Sequence, residues 1–232
     1  IYATAESIIL DHDLTIGDRP QQWPQAFGSG LPQTMTATVS KYEPGMVLAE
    51  LPFYAIGHGL ALQLPQLPHD YITMFAVSLT NVLLSALALL LFYYVLRAQA
   101  VGIHASVLWT LLLGFTTPLW TYSKVGFREP LVMVGLLACF LLLAQLWTSR
   151  RCGSGRSWAL GFFAGLLLAT RLSAGPVAAV LALSYALGLL EYHGWKNGWA
   201  LLRQFLWLGL GLGLWVIFLL AYNYARYGSC WN

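Results

Sequence analysis

The chain has 232 residues, 58% hydrophobic and 9% charged, with a formal net charge of +3. A soluble chain carries about 25% charged residues, so this one cannot cover a water-facing surface and reads as an integral membrane protein. The small net charge argues against nucleic acid as a partner, and Cys139, Cys152 and Cys230 show neither CxxC nor His/Cys ligand spacing.

The chain opens at Ile1 rather than Met and ends just after a hydrophobic run, so we expect a piece of a longer protein. Seven of the nine acidic residues fall in 1–70: Glu6, Asp11, Asp13, Asp18, Glu43, Glu50 and Asp70. Residues 1–70 are expected to form one long extracytoplasmic loop with short helices. Tyr2 to Leu10 reads as a short helix, and 17–40 as turn-rich loop. Met46 to Leu64 is apolar, but Pro52 and Gly57 interrupt it, which suits an interfacial helix better than a span. The segment 71–232 is expected to be a transmembrane bundle of about six helices, since a span needs about 20 apolar residues. Its apolar runs are Tyr71–Leu96, Ala98–Ser123, Pro130–Ser149 and Gln204–Ala225, with the stretch 157–190 between the last two. That stretch is too long for one span and too short for two, so it predicts a hairpin of two short helices bent at Arg171, Gly175 and Pro176. The fold class expected is all-α, a polytopic membrane helix bundle. Gly161-xxx-Gly165 and Gly209-xxx-Gly213 are helix-packing spacings.

Positive charge in short loops sets orientation. Arg97, Arg150, Arg151, Arg156, Lys196 and Arg203 fall on one side, read as cytoplasmic. Residues 1–70, 124–129, 171–176 and 226–232 then face outward, and with them the charged clusters. Thr121-Tyr122-Ser123-Lys124-Val125-Gly126-Phe127-Arg128-Glu129-Pro130 sets two cations and a carboxylate between two spans. Arg171 lies at membrane depth, where an ionisable group faces a cavity or a partner. Tyr222-Asn223-Tyr224-Ala225-Arg226-Tyr227-Gly228 and Ser40-Lys41-Tyr42-Glu43-Pro44-Gly45 complete the set. Meeting at one outward surface, such cations suit a phosphate or pyrophosphate. The carboxylates suit a general base, or a divalent metal ion. Plainer readings stand beside these. Lys124 and Arg128 snorkel to headgroups; Glu129 pairs with Arg128 or favours the dipole of the following helix; Arg171 satisfies broken backbone at the bend. The tyrosines form an aromatic belt, and Asp11-His12-Asp13 is a solvated turn rather than a metal site.

Together these stretches resemble the C-type glycosyltransferase superfamily, in particular its bacterial protein-mannosyltransferase-like and aminoarabinose-transferase-like members. Tyr2-Ala3-Thr4-Ala5-Glu6-Ser7 resembles the start of the first outer loop. Ser40 to Gly45, followed by Leu51-Pro52-Phe53-Tyr54-Ala55-Ile56-Gly57, resembles its second half. Trp120 to Ser123 through Arg128-Glu129-Pro130 resembles the acidic outer turn, and Ala169-Thr170-Arg171 and Tyr222 to Ser229 complete the order. The resemblance implies transfer of a sugar from a polyprenyl-phosphate carrier to a lipid, glycan or protein acceptor at the outer face of the bacterial inner membrane. It implies Glu129 as the acidic residue of the second outer turn and the catalytic carboxylate. Lys124, Arg128, Arg171 and Arg226 become candidates for the carrier phosphate, and Lys41, Tyr42 and Glu43 for the loop over the donor. The family's principal acid would precede Ile1, so this stretch is expected to lack the first span and the main carboxylate. No nucleotide cofactor is implied, and Gly209, Gly211 and Gly213 lie inside an apolar span rather than in a phosphate loop. Two other readings remain: a transporter or flippase for a lipid-linked glycan, whose ionisable groups would gather near the midplane, and a non-catalytic scaffold.

Overall fold

In a bilayer no water meets the backbone, so an apolar chain satisfies its amides within helices. The computed structural model is accordingly all-α, and it describes residues 1–16, 33–34, 37–38, 42–194 and 197–230. Its helices are α1 (Tyr2–Leu10), α2 (Pro44–Gln63), α3 (His69–Ala98), α4 (Ile103–Thr116), α5 (Leu119–Tyr122), α6 (Glu129–Trp147), α7 (Ser154–Thr170), α8 (Gly175–His193) and α9 (Gly198–Tyr227). A two-residue antiparallel ladder pairs Gln33 with Thr38 and Thr34 with Ala37. The remainder of the expected 17–40 loop lies outside the described residues. Five helical segments among the described residues are long and apolar enough to cross a membrane: Pro44–Gln63, His69–Ala98, Glu129–Trp147, Leu172–His193 and Gly198–Tyr227. The protein is a multi-pass membrane helix bundle.

Two runs differ from their sequence reading. Pro52 does not end α2, which continues unbroken through it to Gln63. A mid-helix proline forfeits one backbone bond, but α2 stays packed on both sides of it, with Val47 and Tyr54 fully buried. The run 98–123 is not one helix. Thr117 is extended (φ −112, ψ 168) and separates α4 from α5, because the ring of Pro118 drives the preceding residue out of the helical region.

The chain forms two compact units, Ile1–Thr80 with Phe218–Asn232, and Asn81–Ile217, the division falling within α3 and α9. In the first, α1 lies on α2, burying Ala5, Val47, Tyr54 and Val77. The Tyr2 ring meets Tyr54 edge-on at 5.5 Å, and its hydroxyl shares a 2.8 Å hydrogen bond with Thr73 Oγ1. Burial pushes the Tyr2 phenol up to about 12. Gly57 admits α3 closely, for a Cβ there would meet Ala76 Cβ and Thr73 Cα. The Asp11–Asp13 segment is a turn held by its own side chains. Asp13 Oδ1 accepts from Ser7 Oγ (2.6 Å) and the Thr15 amide (3.0 Å), and Oδ2 from Thr15 Oγ1 (2.8 Å).

In the second unit, α6, α7 and α8 pack as successive hairpins on a core that includes Cys139, Leu146, Leu160, Leu167, Tyr185 and Leu189. The bend between α7 and α8 falls where the sequence sets it, with Arg171 extended, a 3-10 turn over Leu172–Ala174 and Pro176 in the first turn of α8. The α9 helix lies against α7. A Cβ on Gly161 would strike the Leu208 carbonyl, and one on Gly211 the Trp158 carbonyl, while nothing lies near Gly209 or Gly213. The Gly161/Gly165 spacing is therefore a packing face, against Leu208 and Trp215, whereas on α9 it is Gly211 rather than Gly209 or Gly213 that packs. Ser157 donates to Gln204 Oε1 (2.7 Å) and lies 3.2 Å from the Tyr185 hydroxyl, a buried polar tie among α7, α8 and α9.

Candidate functional site

The hairpins of the second unit sort its charges to two ends. At one, Arg150 Nη2 donates to Glu191 Oε1 at 2.6 Å, and Arg156 Nε to Gln145 Oε1 at 3.2 Å. Cys152 Sγ lies 3.7 Å from His193 Nε2; burial raises the Cys152 thiol, which disfavours the reactive thiolate.

At the other end stand Lys124, Arg128, Glu129 and Arg171. Glu129 is the first residue of α6, followed by Pro130, which suits a first-turn position because it lacks the amide hydrogen. A carboxylate there favours the positive end of the helix dipole. Its Oε1 receives the Arg171 Nη1 donor at 3.4 Å. Its Oε2 is buried without a hydrogen-bond partner among the described residues. Arg171 is steadied by its own Nε, which donates to Ser173 Oγ at 2.9 Å. The backbone at the bend is served by Arg128 instead, whose Nη1 donates to the Thr170 carbonyl at 3.5 Å. The roles suggested by sequence adjacency are thus exchanged: Glu129 pairs with Arg171, and Arg128 with the end of α7. Lys124 Nζ lies 4.3 Å above the Trp120 ring. The segment before Glu129 is held by a residue the sequence reading did not single out. The Asn81 side-chain amide donates to the Phe127 carbonyl (2.9 Å) and to the Val125 carbonyl. Its only sequence signal is an amide within an apolar run.

In the first unit, Arg226 is buried. Its guanidinium carbon lies 4.8 Å from the Tyr222 ring centre and 4.6 Å from that of Tyr227. Nη2 donates to the Tyr227 hydroxyl (2.7 Å) and Nη1 to the Tyr42 carbonyl (3.4 Å). Two of the three tyrosines therefore clasp the cation, while Tyr224 is exposed. Glu43 precedes α2, and Lys41 lies outside the described residues. Glu50 is buried, with Oε2 unpaired among the described residues. His58 Nδ1 lies 2.9 Å from His69 Nε2, tying α2 to α3. Among the described residues no three His, Cys, Asp or Glu side chains group as a metal site would need.

Comparison with protein families, curated proteins and solved structures finds no match for this chain.

Proposed function

We propose that this protein is a membrane glycosyltransferase that moves a sugar from a polyprenyl-phosphate carrier to a lipid, glycan or protein acceptor at the outer face of the bacterial inner membrane. The observation that carries the reading is the Glu129–Arg171 contact, with Arg128 on the adjoining carbonyl. It pairs one guanidinium with a carboxylate whose second oxygen has no partner among the described residues, and a base beside a cation is the pair of functions the reaction needs. A carboxylate oxygen takes the proton of the acceptor hydroxyl or amine. The acceptor atom bonds to the anomeric carbon as the bond from that carbon to the phosphate oxygen breaks. The phosphate leaves with the electron pair, and guanidinium groups stabilise its charge. Glu129 is assigned as base, Arg171 and Arg128 as phosphate ligands, and Lys124 as a further cation at the turn. By the family resemblance, Lys41, Tyr42, Glu43 and Arg226 are assigned to donor binding. The arginine-rich 149–157 loop is assigned to the cytoplasmic side, and the same charge count puts residues 1–70 outside.

The test is Glu129→Gln in the full-length protein, with transfer from a polyprenyl-phosphate-linked sugar measured in detergent or proteoliposomes. Turnover falls about a hundredfold or more at unchanged expression; unchanged turnover overturns the assignment.

A further inference from the structure

An amide inside a membrane helix is costly unless its hydrogens find acceptors. Asn81 is 2% exposed, and both acceptors are backbone carbonyls, of Val125 and Phe127. Only the NH2 end of an asparagine can face two carbonyls, so the orientation of the amide is fixed chemically. These carbonyls belong to a tight reversal in which the Phe127 amide also donates to Val125 O at 2.7 Å. Arg128 and Glu129 follow immediately. The turn between α5 and α6 carries a few backbone bonds of its own and is held from the side by Asn81 of α3. The depth is suitable: from Asn81 to Ala98 α3 rises about 26 Å at about 1.5 Å per residue, against a hydrocarbon core of about 30 Å. Asn81 thus stands most of a hydrocarbon core away from Arg97, on the far half of the span.

We infer that Asn81 is the positioning residue of the candidate site: from the body of α3 its amide holds the Val125–Phe127 turn and so sets where the Glu129 carboxylate and the Arg128 guanidinium stand. It touches no substrate and acts through the turn. The inference rests on the transferase reading for its catalytic meaning, but its geometric content is separable. The variants are Asn81→Asp, which keeps the shape and loses the paired donors, and Asn81→Leu, which replaces the amide with an apolar group. Ser85→Ala, one turn along α3 at another buried polar residue, is the control. Hydrogen–deuterium exchange of the 123–128 amides and the kinetics of the full-length protein are measured on the same monodisperse preparations. Exchange at 123–128 rises about tenfold in both Asn81 variants, while exchange in α7 and α8 holds and Ser85→Ala matches the parent. With a polyprenyl-phosphate-linked sugar as donor, kcat falls about tenfold to a hundredfold, because about 1 Å of displacement suffices for such losses, and donor KM moves less than threefold. Unchanged exchange at 123–128 overturns the inference, as does a loosened turn with unchanged kcat. A loosened turn in a protein whose parent transfers no sugar supports Asn81 as the splint of the turn and overturns the transferase reading alone.

Discussion

The two oxygens of Glu129 stand in different surroundings, and the difference decides what each neighbour can do. Oε1 is held by Arg171 at 3.4 Å, while Oε2 is buried and unpaired among the described residues. Both side chains keep considerable solvent access, at 33% and 44%, so the ion pair contributes only about 0–1 kcal/mol to stability. Removing Arg171 therefore costs the fold little. Under the proposed reading, Arg171→Ala raises the apparent donor Kd about tenfold to a hundredfold, the worth of a charged hydrogen bond to phosphate, with a melting midpoint close to the parent's. Arg171→Lys recovers only part of the loss, because a lysine cannot offer two parallel donors. A titration with the lipid-linked donor checks both, and an unaltered affinity removes Arg171 from the phosphate site. These residues were legible in the sequence because charge stands out against apolar surroundings. Which cation met which carboxylate was not legible, since Arg128 is the chain neighbour of Glu129 and Arg171 is brought in by folding. Asn81 was missed for a related reason: it is neutral, and its importance lies in two carbonyls more than forty positions away.

At the scale of helices, apolar length located most elements to within a few residues, including the bend at Arg171. Prolines depart from the apolar pattern in opposite directions. Pro118 divides a run that hydrophobicity alone made continuous, and Pro52 fails to divide one that it was expected to interrupt. In both places packing and the conformation of the preceding residue decide, and neither is a property of composition. Glycine spacing was similarly half-informative. Gly209 and Gly211 stand two positions apart and so on different faces of α9, and only folding shows that Gly211 meets α7. Gly161→Val consequently forces α7 and α9 apart against the Leu208 carbonyl. The expected cost is about 1–3 kcal/mol, seen as a lower melting midpoint in detergent, whereas Gly213→Val, with open space around it, leaves the midpoint unchanged.

Taken as a whole, the second unit separates its charges along the helices: Glu129, Arg128 and Arg171 at one end, Arg150, Arg156 and Glu191 at the other. In a membrane those ends face opposite compartments. Gly126→Cys and Gly155→Cys, both at positions with open space for a Cβ, test this in a background where Cys139, Cys152 and Cys230 are replaced. A membrane-impermeant maleimide added outside labels Gly126→Cys and reaches Gly155→Cys only after permeabilisation; equal labelling of both from outside contradicts the topology. Helix length adds one more consequence. With 17 residues, α7 is about 25 Å long, shorter than the hydrocarbon core of about 30 Å. Nine of its residues are buried, so the mismatch is met by the helices packed around α7 rather than by a thinning of the leaflet.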